Sequence, residues 1–115
     1  MQYMLMITGD GSDLASPAEI DVRPAFMAWL RDVESRGARR VGTLLRPPVE
    51  AITVRVRDGQ TLRSDGPFAE TKEHVGGVEI VECADLDDAI AIASTHPAAG
   101  RHPIEIRPFW PLEED

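Results

Sequence analysis

The chain has 115 residues, of which 43% are hydrophobic and 28% are charged. This length is typical of one domain with a single modest core, so we expect one domain over residues 1–115. Acidic residues outnumber basic ones by 20 to 12, and the formal net charge of −8 argues against nucleic acid or a membrane surface as a partner. The sequence shows neither an apolar tract long enough to cross a bilayer nor a signal-peptide pattern, which predicts a soluble, cytoplasmic protein.

An apolar strand and an amphipathic helix are predicted first. Residues 2–8 are apolar at both alternating sets of positions, which indicates a central strand covered on both faces. Asp21 is a suitable helix cap, Pro24 fits the first turn, and Gly37 is a suitable C-terminal stop. Apolar residues at helical spacing predict the buried stripe of this helix: Phe26, Met27, Trp29, Leu30 and Val33.

A strand and a hairpin follow in the middle of the chain. The strand covers residues 40–45 and ends at two prolines, which cannot donate hydrogen bonds to a sheet. Residues 51–57 alternate between apolar and polar side chains. Residues 60–64 return as their partner through Asp58 and Gly59, a favoured two-residue hairpin turn.

The last part of the chain predicts a strand, a helix and a final strand. The first of these strands covers residues 78–83, after a pair of glycines. Asp85 caps the helix, Pro97 ends it, and residues 104–109 form the final strand. The buried stripe of this second helix is predicted to contain Leu86, Ala89, Ile90 and Ala93.

This order of elements fits an α+β fold of the ferredoxin-like type, with an antiparallel sheet, two helices on one face and an inserted hairpin. The opposite face of the sheet would then have no cover. Its polar residues are predicted to be Arg55, Arg57, Glu105 and Arg107. Because these residues stand amid apolar neighbours, the face could line either a cleft or a wet dimer interface.

The most distinctive stretch is residues 65–77, with the sequence DGPFAETKEHVGG. It resembles the signature of the DGPF proteins, a branch of the YCII-related family. Further matches to that pattern are the segments DLDDA at 85–89, HPAA at 96–99 and IEIRP at 104–108. The resemblance implies a dimeric α+β barrel, in which two ferredoxin-like units pack their sheets together, and therefore a homodimer. The resemblance also makes a sigma factor of the extracytoplasmic-function type a candidate regulatory partner.

The candidate ligand-binding residues are Asp65, Phe68, Glu70, Lys72, Glu73, Glu105 and Arg107. The carboxylates in this set can accept hydrogen bonds or act as acid or base, whereas Lys72 and Arg107 can hold an anion. Phe68 is an apolar anchor. A structural role is the alternative for each residue, either in a rigid salt-bridged turn or in a surface or interface ion pair.

Two functions stay open on the sequence alone. One is a non-catalytic protein that binds a small polar ligand or a regulatory partner. The other is a small-molecule enzyme that works without a cofactor, by carboxylate acid–base chemistry in the DGPF segment. Members of the wider family are thought to use a histidine–aspartate dyad, but no histidine precedes His74 and His96 stands where the aspartate would be. The dyad therefore does not transfer, and no metal-binding or cofactor motif is present in the sequence.

The remaining reactive side chains are predicted to have structural roles. Cys83 is expected to be a buried strand residue, as free cysteines often are. His74 is expected to be an exposed residue of a short helix. His96 is expected to be a partly positive imidazole that caps the last carbonyls of the second helix.

Overall fold

The computed structural model describes residues 1–9, 23–67 and 74–111. Its strands are β1 (Gln2–Gly9), β2 (Arg39–Leu44), β3 (Ile52–Arg57), β4 (Gln60–Asp65), β5 (His74–Glu82) and β6 (Ile104–Pro108). Its helices are α1 (Arg23–Ser35) and α2 (Leu86–Ser94), with short 3-10 turns at Pro48–Glu50 and Pro97–Gly100.

Four strands form one antiparallel sheet in the order β2-β5-β1-β6. Strand β1 is central, as its apolar sequence predicts. Side chains from β1, β5 and the two helices form the core, which contains Tyr3, Leu5, Trp29, Val33, Val81, Ala89 and Ile92. The fold is therefore α+β and ferredoxin-like, with both helices on one face of the sheet, as the sequence predicts.

The pairing register separates a helix-covered face of the sheet from an uncovered one. Leu5 is fully buried on the helix-covered face, opposite Glu79 of β5. Met4 is half-buried on the uncovered face, opposite Ile80 and Arg107. The prediction that β1 is covered on both faces is therefore wrong for this single chain, because both helices lie on the same side.

Two register shifts interrupt the regular pairing of the sheet. One lies in β2 between Arg39 and Val41, and the other lies in β5 at Gly76. Strand β5 begins at His74 rather than at the predicted residue 78, because glycine tolerates the bulged backbone within a strand. His74 is consequently a half-buried strand residue, and the prediction of an exposed helical residue is wrong.

Strands β3 and β4 form a separate two-stranded sheet. They are joined by Asp58 and Gly59, whose φ angles of 51° and 75° are the left-handed geometry of the predicted turn. Arg55 and Arg57 therefore belong to the hairpin, and their predicted place on the uncovered face of the larger sheet is wrong. Among the described strands, β3 and β4 pair only with each other, and three apolar side chains of β3 are exposed: Ile52, Val54 and Val56.

Helix α1 buries Trp29 and Val33. Met27 is 46% exposed, so the prediction that it belongs to the buried stripe of this helix is wrong. Gly37 has a φ of 67° just beyond the helix, as expected of a C-terminal stop. The predicted cap, Asp21, lies outside the described residues. Neither described helix has the length and apolar character needed to span a membrane.

Helix α2 begins as the sequence predicts, because Asp85 Oδ1 accepts a hydrogen bond from the Asp88 N–H at 2.9 Å. The residues that it buries are Ala89, Ile92 and Ala93. The predicted burial of Leu86 and Ile90 is wrong, since they are 49% and 45% exposed. Each helical residue turns by about 100°, so a stripe centred on the three buried residues directs Leu86 and Ile90 sideways.

Candidate functional site

The predicted site residues fall into two described places and one undescribed segment. Asp65 is the exposed last residue of β4, in the hairpin sheet. Glu105 and Arg107 lie on β6, an edge strand of the four-stranded sheet. The other four predicted residues lie outside the described residues: Phe68, Glu70, Lys72 and Glu73. The structure thus places Asp65 and the β6 pair on different sheets.

The described part of the DGPF motif, residues 65–67, lies at the open end of the hairpin and is bonded to its first strand. Gly66 has a φ of 92°, and its N–H donates to the Ala51 carbonyl at 2.7 Å. The Gly66 carbonyl accepts a hydrogen bond from Thr53 Oγ1 at 2.8 Å. These two bonds fix the bend at Gly66 against the start of β3, so this glycine has a clear structural role.

Glu105 and Arg107 form an ion pair on the uncovered face, as their spacing on a strand predicts. Arg107 Nη1 lies 3.4 Å from Glu105 Oε2, and their side chains are 70% and 55% exposed. Charge-assisted hydrogen bonds of good geometry are shorter than this, so the pair is weak. Within the described residues it is the only polar contact of the guanidinium.

Two rows of side chains cross the uncovered face of the sheet. One row consists of Val41, Ile80, Met4 and Arg107. The next row consists of Thr43, Val78, Met6 and Glu105. The uncovered face therefore has an apolar centre and a charged edge at β6, which is the usual anatomy of a protein interface.

Glu79 is a buried charged residue on the opposite, helix-covered face, and its side chain is 3% exposed. Its Oε2 accepts a hydrogen bond from Arg39 Nε at 2.9 Å, and Arg39 Nη2 donates to the Gly42 carbonyl at 2.9 Å. Burial raises the pKa of Glu79, the Arg39 guanidinium opposes that rise, and the charge of Glu34 adds to it. Burial therefore favours the protonated form of this carboxyl more than that of an exposed glutamate.

The missing side chain of Gly42 makes room for this carboxylate. A Cβ at position 42 would lie 1.9 Å from Glu79 Oε2, which no side chain could tolerate without displacing the carboxylate. Sequence reasoning missed this site, although one signal was present: Glu79 alternates with Val81 on the same face of β5. A charged residue on an apolar face indicates either a buried pair or a site.

His96 lies between the two helices and accepts a hydrogen bond rather than donating one. Its Nδ1 accepts from the Ala98 N–H at 3.0 Å, and its ring centre lies 4.6 Å from that of Trp29. Burial lowers the pKa of His96 to about 4, so the ring is neutral at pH 7. The prediction of a partly positive cap for the carbonyls of α2 is wrong, because the aromatic surroundings disfavour the charged form.

Cys83 is half-buried and lies one residue beyond the end of β5, so the prediction of a buried strand residue is wrong. Burial raises the pKa of its thiol, so the protonated form is favoured at neutral pH. This environment is typical of a structural cysteine rather than of a nucleophile.

Comparison with known proteins defines the family. A family model of the YCII-related domain matches residues 1–113. The chain belongs to the YCII-related family. An uncharacterised protein of Rhizobium meliloti is 39% identical to this YCII-related chain in a match of 78 aligned positions. The match covers 63% of this chain. The match spans 61% of that relative's own length.

A solved structure shows the same fold. This YCII-related chain is similar to the 5-chloro-2-hydroxyhydroquinone dehydrochlorinase (TftG) from Burkholderia phenoliruptrix, in complex with 2,5-dihydroxybenzoquinone. The TM-score is 0.55 at 17% sequence identity, over 96% of this chain and 94% of the other. At this identity the likeness shows a shared fold alone, because one fold hosts many functions.

Proposed function

We propose that this YCII-related protein is a cytoplasmic homodimer that binds a small polar molecule. The observation that carries the proposal is the uncovered sheet face, with its apolar centre around Met4 and Ile80 and its charged edge at Glu105 and Arg107. A two-fold contact between two such faces buries the apolar rows of both copies. It also produces the dimeric α+β barrel that the motif of residues 65–77 implies.

Arg107 is the main ligand-binding group in this proposal. Closing the barrel removes water from Glu105 and Arg107, whose mutual contact of 3.4 Å is weak. A desolvated guanidinium needs good acceptors, and a small molecule with carboxylate, enolate or phenolate oxygens provides them. The complex of the similar dehydrochlorinase with 2,5-dihydroxybenzoquinone supports this class of ligand.

Replacing Arg107 by alanine is expected to weaken the binding of 2,5-dihydroxybenzoquinone by about tenfold or more. A hydrogen bond to a charged group contributes about 1.5–3 kcal/mol, which corresponds to that factor in Kd. Isothermal titration calorimetry measures the change. Arg101→Ala removes an exposed cation outside the uncovered face and is the matched control. Equal Kd values for the wild type and Arg107→Ala, or no binding by the wild type, would contradict the proposal.

The segment around residues 65–73 is the proposed second wall of the site. In this proposal Asp65 accepts hydrogen bonds from the ligand and Lys72 holds an anionic oxygen. The other proposed contributors are Phe68, Glu70 and Glu73. That the protein works without a cofactor is a prediction from the sequence alone.

Acid–base catalysis on the bound molecule is a second candidate function, compatible with the dehydrochlorinase activity of the similar structure. It would use the carboxylates of the DGPF segment or Glu105, which lies on the uncovered face beside Arg107, whereas Glu79 is buried on the opposite face. If Glu105 transfers the proton, Glu105→Gln is expected to abolish turnover of the bound compound and to retain its binding. Product analysis by chromatography checks this, and unchanged turnover in the variant would remove Glu105 from the mechanism.

A regulatory partner is the third element of the proposal. An extracytoplasmic-function sigma factor is implied by the motif resemblance, and the exposed apolar face of the hairpin at Ile52, Val54 and Val56 offers a contact surface. No feature of the described residues is specific for such a partner. Ligand binding is therefore the better supported function.

A further inference from the structure

The imidazole of His96 has one nitrogen engaged and one nitrogen open. Nδ1 accepts the hydrogen bond from the Ala98 N–H at 3.0 Å, so Nδ1 carries no proton. The proton of the neutral ring is therefore on Nε2, which makes Nε2 a donor. The hydrogen bond from the Ala98 N–H therefore fixes the tautomer of the neutral His96 ring.

The Nε2–H donor has no hydrogen-bond partner among the described residues. Every fully buried side-chain nitrogen or oxygen of a non-exposed residue in the described part of the chain does have a partner. An unpartnered Nε2 on the half-buried His96 must therefore reach solvent. A small molecule can reach the same donor from that side.

The ring that carries this donor is held in place by its neighbours. The Trp29 ring meets the imidazole edge-on, with ring centres 4.6 Å apart. Trp29 is itself 4% exposed, and its Nε1 donates to the Ile92 carbonyl at 3.2 Å. Because the imidazole is fixed before a ligand arrives, little conformational entropy is lost when its donor is used.

The surroundings of the donor select the chemistry of the acceptor. The Phe26 ring centre lies 6.0 Å from that of His96, and Phe26 is half-buried, so a partly exposed aromatic residue neighbours the imidazole. A neutral N–H next to aromatic carbon favours an uncharged carbonyl oxygen over a fully charged phosphate, whose desolvation it could not offset. The same aromatic surface favours a flat ring next to that carbonyl.

We propose that His96 Nε2–H and the ring of Phe26 form a binding site for a small aromatic compound, with the donor bonded to its carbonyl oxygen. The site lies between the helices, on the opposite side of the sheet from Arg107. It therefore does not depend on the homodimer or on the ligand proposed for the uncovered face.

The test compares two probes that differ at one position, 4-hydroxyacetophenone and 4-ethylphenol, which lacks the carbonyl. The first probe is expected to bind the full chain with a Kd about fivefold lower than that of the second. This is the factor expected from one neutral hydrogen bond. It is also expected to shift the ring-nitrogen and Nε2–H resonances of His96 in NMR spectra. Both measurements use the same titration.

His96→Asn separates the proposed donor from the structural role of the residue. The asparagine side-chain oxygen can still accept the Ala98 N–H as a cap. Its amide donor is attached to Cγ, one bond closer to the backbone than Nε2, so it does not occupy the position of the Nε2–H donor. The fivefold preference for 4-hydroxyacetophenone is expected to disappear in this variant and to persist in the control His102→Asn. Equal binding of the two probes by the wild type, or a preference that survives His96→Asn, would overturn the proposal.

Discussion

Replacing Glu79 by alanine is expected to lower the free energy of unfolding by about 3–5 kcal/mol. The substitution leaves the guanidinium of Arg39, whose side chain is 19% exposed, without its carboxylate partner. Removing one member of a buried ion pair costs this much because the remaining charge is not compensated. Guanidinium chloride denaturation followed by circular dichroism measures the change. A loss below about 1 kcal/mol would show that the pair does not stabilise the junction of β2 and β5.

Two further substitutions separate the charge of Glu79 from its packing. Glu79→Gln keeps an acceptor for Arg39 Nε and is expected to cost less than Glu79→Ala. Gly42→Ala places a Cβ 1.9 Å from Glu79 Oε2 and is expected to cost about 1–3 kcal/mol, because the carboxylate must move away from Arg39. The matched control is Gly100→Ala, whose Cβ would meet no atom within 4 Å. Equal stabilities for the two glycine variants would contradict this account of the site.

The pH dependence of Glu79 has a definite sign. Burial raises the pKa of the folded carboxyl above its ordinary value of 4.5, so ionisation of Glu79 disfavours the folded state. The stability that Glu79 contributes is fully present below pH 4.5 and is lost as the pH rises through the raised pKa of the folded carboxyl. Since Arg39 opposes the rise in pKa, Arg39→Met is expected to make this loss of stability with rising pH steeper. Parallel slopes for the wild type and Arg39→Met above pH 4.5 would contradict the coupling.

Replacing Ile80 by aspartate is expected to convert the proposed homodimer into a folded monomer at micromolar concentration. Ile80 lies between Val41 and Met4 in a row that crosses the apolar centre of the uncovered face. The two-fold contact would bury two unpaired carboxylates there, and each costs several kcal/mol to desolvate. Light scattering after size exclusion gives the mass, and circular dichroism verifies the fold.

Val49→Asp is the matched control for Ile80→Asp. Val49 is 82% exposed in the 3-10 turn before β3, which is not part of the four-stranded sheet. The same change of charge there is expected to leave the proposed dimer intact. If both variants dissociate, general charge repulsion is responsible; if neither dissociates, the uncovered face is not the dimer contact.

Local chemistry explains what the sequence predicted correctly. Asp85 caps α2 and the Asp58-Gly59 turn joins β3 to β4, because both depend on the geometry of a few adjacent residues. The apolar run of β1 likewise indicated its central place in the sheet. These patterns, together with the order of the elements, were enough to predict the ferredoxin-like fold.

Other features depended on contacts that are distant in the chain. Helical periodicity alone could not show which side of α2 packs, so Leu86 and Ile90 were predicted buried although they are exposed. Alternation along β3 could not show that the hairpin forms its own sheet, so Arg55 and Arg57 were assigned to the wrong surface.

The candidate site was predictable only in part. The pairing of Glu105 with Arg107 follows from their spacing on one strand. The burial of Glu79 does not, because it requires Gly42 and Arg39 from another strand, and the pairing of β2 with β5 is long-range. The role of His96 also depends on a neighbour from α1, Trp29, which removes the water that would stabilise its charge.

Sedimentation equilibrium of the wild-type chain at micromolar concentration tests the central claim most directly. The proposed site on the uncovered face exists only if a second copy covers that face. The account predicts a mass twice the chain mass of 12.6 kDa. A single species of 12.6 kDa would contradict it, because Glu105 and Arg107 would then remain an exposed, weak ion pair with no enclosed space for a ligand.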